Sequence, residues 1–272
     1  DDNFIVGRQS GLALTSGTDN IILGQEAGRN ISAASNNVWI GKGAGKCSIC
    51  ENNVFLGELA GRGGSSVIAN NTTNCSVAIG QEALCLVTNG SNNTALGAAA
   101  GQRNGGGNQN TFVGHMAGYG GCDEFSGFQN TIVGKSAGQA ITSARGSAIS
   151  GTCAGISIST GCYNSLFGYK AGYSLSTGSY NVAIGCNVEL PSATGNCQLA
   201  IGNGTNRWIV GDSNFNVGIG TTNPVAKLDV YDNSAAISGT IQVTQDGTGD
   251  AAIDFQLKGT QEYTLGIDNS DS

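Results

Sequence analysis

Few side chains in this sequence could carry acid–base, nucleophilic or metal chemistry, and their spacing limits what each could do. His115 is the one histidine. A Ser/His/Asp relay would have to use it, yet it directly follows Gly114, where equivalent segments place Arg8, Gln25, Lys42, Glu58 and Lys135. It therefore reads as a solvated surface residue. Asp123 and Glu124 adjoin in YGGCDEFSGFQ; glycoside hydrolysis needs two carboxylates facing across a cleft, and neighbours in an extended chain diverge. Cys47 and Cys50 make one CxxC, with no second CxxC and no nearby histidine to complete a zinc site. No catalytic, cofactor-binding or metal-ligating residue is expected. Aromatic rings remain, because their faces stack on sugars or on one another. Tyr163 and Tyr180 recur with Tyr169 and Tyr173 beside them, and Tyr119, Phe125 and Phe128 bracket the acidic pair.

The elements that position these residues follow from a repeat: Asn, three mostly apolar residues, Gly, two variable residues, Ala, Gly. It reads NIILGQEAG, NVFLGELAG, NTFVGHMAG and NTIVGKSAG among thirteen copies, whose central glycines run from Gly7 to Gly218. Successive glycines are 16 or 17 residues apart, except for 23 from Gly57 to Gly80 and 20 from Gly114 to Gly134. Helical repeats are longer. A 17-residue period with short β-branched segments and glycine corners suits one coil of a β-solenoid, built here as two strands of about five residues and two tight turns. Twelve steps at ~4.8 Å predict a rod about 58 Å long.

Position within the repeat then assigns directions. The residue before each central Gly is large and apolar in all copies but Ser150, and the one before that is apolar in most, as in Trp39, Phe55, Phe112 and Leu166. Adjacent strand residues face opposite ways. Both faces are thus expected to be buried, one inside the coil and the other against identical neighbours, most simply in a parallel homotrimer. Ala three places after the central Gly fits a corner, and the Gly after it supplies a positive φ. The leading Asn predicts an amide ladder along the rod. Phase also brings Cys50 and Cys75 onto neighbouring coils as a disulfide candidate.

Composition sets the outer bounds. The 272 residues include 45 Gly, only 2 Pro and 11% charged residues, which excludes collagen, a Pro/Gly linker and a charged globular enzyme. Ten acids and ten bases balance over residues 1–211, whereas residues 212–272 carry nine acids against Lys227 and Lys258. No basic stripe suits nucleic acid, and no run of 18 apolar residues spans a membrane. Two domains are expected: a solenoid over 1–205 and an acidic, β-rich trimeric segment over 206–272. Beginning at Asp1 without Met and stopping mid-pattern at Ser272, the chain reads as part of something longer.

With NTFVGHMAG, NTIVGKSAG, SVAIGQEAL and NVAIGCNVE in view, the body resembles the Gly-Ala repeats of bacteriophage and large-virus tail fibres, and is similar, more loosely, to the heads of trimeric autotransporter adhesins. The tail VGIGTTNPVAKLDVYD is similar to the segment that precedes a self-cleaving intramolecular chaperone in many trimeric fibres. The resemblance implies an all-β, non-enzymatic, homotrimeric fibre on the virion surface, joined to other fibre or baseplate proteins and binding a host glycan or protein. Its receptor-facing candidates are Tyr119, Phe125, Phe128, Tyr163, Tyr169, Tyr173 and Tyr180. A bacterial adhesin head and a polysaccharide-degrading β-helix are the alternative readings.

Overall fold

The computed structural model describes residues 2–47, 50–64, 73–121, 125–232, 241, 244, 251–257 and 261–267. These are all-β, without a helix among the described residues. Each repeat contributes one short strand: β1 Phe4–Val6, β2 Ile21–Leu23, β3 Val38–Ile40, β4 Val54–Leu56, β5 Val77–Ile79, β6 Thr94–Leu96, β7 Thr111–Val113, β8 Thr131–Val133, β9 Ala148–Ser150, β10 Ser165–Phe167, β11 Val182–Cys186 and β12 Leu199–Asn203. They stack in sequence order as a parallel sheet. Each pairing matches equivalent repeat positions, as Phe55 with Trp39 and Phe112 with Ala95. The protein is therefore a β-solenoid of coils about 17 residues long.

The coil differs in one respect from the expected pair of five-residue strands. Strands β1 to β10 have three residues each. The other side of the coil is held by isolated backbone hydrogen bonds, such as Thr15 N–H to Ser32 O and Ser159 N–H to Ser176 O, both 2.9 Å. The turn after the central Gly spends backbone groups on a corner, as Ala117 N–H to Gly114 O shows, and on the next coil, as Gly118 N–H to Ala137 O shows. Little length remains for a second strand.

Three columns fill the interior. The middle strand residue points inward, so Ile22, Trp39, Phe55, Phe112, Ile132 and Leu166 are fully buried. Trp39 stacks on Phe55 with ring centroids 6.4 Å apart. The corner alanines form the second column, Ala27 to Ala171. Ile31, Val87, Ile141, Ile158 and Leu175, seven residues after their central glycines, supply the third from the opposite side. The leading asparagines are also buried and form the expected ladder. Asn110 receives the Asn130 N–H and side-chain amide, each at 3.0 Å, and donates its own amide to Asn93 Oδ1 at 3.2 Å. Ser76, Ser147 and Gln198 replace Asn at three rungs.

The residues on either side of the inward one point outward. They are half-buried or exposed, with Leu96 at 47% and Phe167 at 44%. In one chain the residue before the central Gly is thus on an open face, as a two-sided strand requires.

Parallel stacking ends at β12. Strand β13, Asn206–Gly211, pairs antiparallel with it, and β14, Val217–Ile219, pairs antiparallel with β13; β15, Leu228–Val230, completes the same 15-stranded sheet. The strand direction reverses at β13, and the first compact unit extends to Asp229. Its continuation follows from β13 completing the exposed edge of β12. The second unit, Val230–Ser272, contains the antiparallel hairpin of β16, Ala251–Leu257, and β17, Gln261–Ile267.

Asp212 holds the turn between β13 and β14 by accepting the backbone N–H groups of Asn214 and Asn216, each at 2.9 Å, and the Asn216 amide at 3.0 Å. The Asn216 backbone bond, first among these effects, holds its carboxyl below the ordinary aspartate range. A lowered carboxylate pKa stabilises the turn fully above the ordinary value, and the gain disappears as pH falls through the lowered one. Acid titration followed by Trp208 fluorescence is expected to show the turn loosening below about pH 4, a step missing from Asp212→Asn.

Candidate binding surface

The coil corner preceding the leading Asn displays three of the aromatic candidates, Phe128, Tyr163 and Tyr180. Five residues before each central Gly from Gly24 to Gly202 the backbone is left-handed, with φ 57° at Tyr163 and 60° at Tyr180. Their equivalent positions repeat from coil to coil, and the two rings stack with centroids 5.0 Å apart and planes 20° apart. Tyr163 also lies over Gly146, where an added Cβ would come within 2.6 Å of the ring. The Arg145 guanidinium sits 5.8 Å from both the Phe128 and the Tyr163 ring centroids. Phe128, Arg145, Tyr163 and Tyr180 thus form one exposed file across four coils. Its faces are largely occupied by one another, leaving ring edges and the outer side of Tyr180, 59% exposed, for a ligand.

Tyr169 and Tyr173 form a separate cluster on the turn after Gly168. The Lys170 ammonium lies 5.3 Å from each ring centroid. Nearby, Glu189 accepts the Ser174 N–H at 3.1 Å and its hydroxyl at 3.3 Å. Both rings are exposed, and hydrogen-bonding groups of both charges stand beside them.

Tyr119 has a third setting. It lines a groove of about 410 Å³ with Arg103, Gln139, Ala140 and Ile156, floored by Gly120 and Gly121. The floor requires glycine: a Cβ at Gly120, whose φ is +88°, would come within 2.7 Å of Arg103 Cβ. Arg103 Nη1 donates to Gly121 O at 3.0 Å, and its guanidinium lies 5.9 Å from the Tyr119 ring centroid. An aromatic wall, an amide and a guanidinium around a shallow floor suit a sugar ring with hydroxyls at its edge.

Phe125 is a correction to the surface candidates. It is fully buried and packs edge-on against Phe112, with centroids 5.6 Å apart. Asn104, seven residues after Gly97 in the preceding coil, is fully buried but turns its amide onto Gly107, where other coils place a branched aliphatic side chain. The longer next segment brings Phe125 into that space, where Gly107 and Gly127 have no side chain to exclude it.

The remaining chemistry-bearing residues are dispersed. His115 is exposed. Cys75 is an exposed free thiol, whereas Cys50 is buried and its Sγ accepts the Thr73 N–H at 2.9 Å. The candidate Cys50–Cys75 bridge is thus not formed. Burial pushes the Cys85 thiol pKa up, keeping it protonated. Among the described residues no group of three or more His, Cys, Asp or Glu could hold a metal ion, and no helix is long and apolar enough to cross a membrane. Cys122, Asp123, Glu124 and residues 65–72 of the long insertion lie outside the described residues.

Sequence reasoning located the Tyr163–Tyr180 repeat but missed Arg145 between Phe128 and Tyr163, and Arg103 and Gln139 beside Tyr119. The signal was available: Arg145 lies six residues before Gly151, as Phe128 does before Gly134. Fold and surface together define a β-solenoid repeat protein with aromatic and cationic corners. No family model, curated protein or solved structure matches the chain.

Proposed function

We propose that this chain is a structural segment of a homotrimeric virion fibre that attaches to a host-surface glycan or receptor, without catalysing a reaction. The observation that carries this reading is the apolar outward face running along a rigid parallel sheet, while aromatic and cationic groups occupy exposed corners. Parallel sheets are normally covered on both faces, so like chains packed on that face would leave the corners outward. Trp208, Phe215 and Leu228 add exposed apolar surface near the end of the first unit. The fibre assignment and its virion location come from the repeat resemblance. Three copies would multiply weak sugar contacts through avidity.

Of the displayed surfaces, the Tyr119 groove suits a glycan best, because it is concave and its ring has an amide and a guanidinium beside it. Tyr119→Ala combined with Gln139→Ala is expected to lower attachment to host cells or an immobilised glycan panel about tenfold or more. Light scattering should show the same oligomer. Unchanged attachment would reject this groove as the receptor site, and unchanged attachment after Tyr169→Ala with Tyr173→Ala and after Tyr163→Ala with Tyr180→Ala as well would leave the segment as a passive shaft.

A further inference from the structure

We infer that the Tyr119 groove and the exposed Tyr173 are the two ends of one site, which holds a linear acidic glycan of about four sugar residues lying along the stacked coils. The inference rests on the glycan reading above and gives it a substrate class.

The two tyrosines occupy the same repeat position. Tyr119, Gln139, Ile156 and Tyr173 each lie five residues after a central glycine, on four successive coils. Backbone bonds hold these corners in step: Gly118 N–H to Ala137 O at 2.9 Å, Ala140 N–H to Ile156 O at 3.0 Å and Gly155 N–H to Ala171 O at 2.9 Å. The groove beside Tyr119 already takes in Gln139 and Ile156, and Tyr173 is the next member of the file. Alongside runs the following repeat position, Gly120, Ala140, Ser157 and Ser174. All four are small, so no side chain of that file closes the groove between its ends. Beyond Gly121, where an added Cβ would meet Thr142 Cγ2 at 3.3 Å, stands a row of hydroxyls. Thr142 and Ser159 donate to the Ser159 and Ser176 carbonyl oxygens at 3.2 and 3.3 Å. Each hydroxyl oxygen retains lone pairs that can accept from a sugar hydroxyl.

Spacing and charge select the ligand. Three coil steps of ~4.8 Å separate the two tyrosine positions by about 14 Å. An extended chain of equatorially linked pyranoses advances by about one coil step per residue, so one sugar falls at each of the four positions. Ring faces then meet Tyr119 and Tyr173, hydroxyls meet Gln139, and a less polar edge meets Ile156. Arg103 stands beside the first tyrosine, and Lys170 lies 5.3 Å from the ring centroid of the last. Glu189 is engaged by the backbone N–H and hydroxyl of Ser174. Residues 83–188 carry Arg103, Lys135, Arg145 and Lys170 against Asp123 and Glu124. The surplus is positive, and a uronic acid chain answers it with a carboxylate on each residue.

The test titrates the full chain calorimetrically with β-linked mannuronate di-, tetra- and hexasaccharides and with the matching neutral mannose oligomers. The mannuronate tetramer is expected to bind at least about tenfold more tightly than the dimer, and the hexamer within about twofold of the tetramer. The neutral tetramer should bind at least about fivefold more weakly than its acidic counterpart. Ser157→Trp, on a coil between the two tyrosines, should bring the tetramer down to the dimer's affinity while the dimer still binds. Tyr173→Ala should do the same without added bulk, and circular dichroism checks that both chains fold. Affinity independent of length, or tetramer binding unchanged in both variants, separates the two ends and overturns the inference, leaving the glycan reading in place. Equal affinity for the neutral tetramer overturns the acidic class and the inference with it. Absence of binding by every probe also overturns it, and removes the glycan reading only where the Tyr119→Ala/Gln139→Ala chain attaches to cells as well as its parent.

Discussion

Replacing Gly97 by alanine is expected to split the solenoid at its middle. A Cβ there would lie 2.7 Å from the Gly114 carbonyl carbon and oxygen, in backbone rather than against a side chain that could move away. The φ of +135° is also one that an L-residue rarely adopts. Positive-φ strain contributes about 1–3 kcal/mol, and relieving the clash would require the stacked strands to separate locally. The expected loss is at least ~3 kcal/mol. Because each coil contacts its neighbours along one dimension, the damage falls on one interface. Urea unfolding followed by circular dichroism should therefore change from one transition to two. Gly106→Ala is the control, since its added Cβ meets nothing within 4 Å. It should remain within about 0.5 kcal/mol of the parent. A Gly97→Ala chain as stable as this control would disprove the close-stacking account of the central glycine.

Asn110→Leu should have a comparable effect through hydrogen bonding. Asn110 is fully buried and gives its side-chain amide to Asn93 Oδ1 and to Gly127 O, the latter at 2.9 Å. Its Oδ1 accepts both the backbone and side-chain N–H groups of Asn130. Leucine is similar in volume but removes all these partners. Each buried group left unsatisfied costs about 1–3 kcal/mol, so a loss of ~3 kcal/mol or more is expected from several such groups. Asn110→Ser should be milder, because the ladder already uses Ser76 and Ser147 as rungs. Denaturation midpoints ordered parent, serine, leucine would support the ladder; equal midpoints for serine and leucine would reject it.

Both predictions concern features that repetition makes legible to different degrees. The Asn ladder is readable because most coils repeat the same amide at the same phase, and a stack of like polar groups supplies its own donors and acceptors. Strand alternation makes the apolar pairs such as Trp39 with Ile40 legible as facing opposite ways, and the stacked coil decides that Trp39, Phe55, Phe112 and Leu166 are the inward members. The central glycine is conspicuous in sequence, but its reason is visible only when Gly97 and Gly114 are stacked, since the obstruction belongs to another coil. Arg145 likewise gains its aromatic partners through stacking.

What the sequence by itself determined is the period, the one-coil-per-repeat order and the paired apolar columns of each strand, because these depend on local spacing repeated without change. Tertiary structure decided where that regularity stops. Phe125 is interior because Asn104 leaves room in the neighbouring coil, and the second side of each coil is irregular because its backbone groups are divided between corners and inter-coil bonds. Strand β13 turns back as antiparallel because the edge of β12 offers unpaired backbone, and an edge exists only after the coils have stacked.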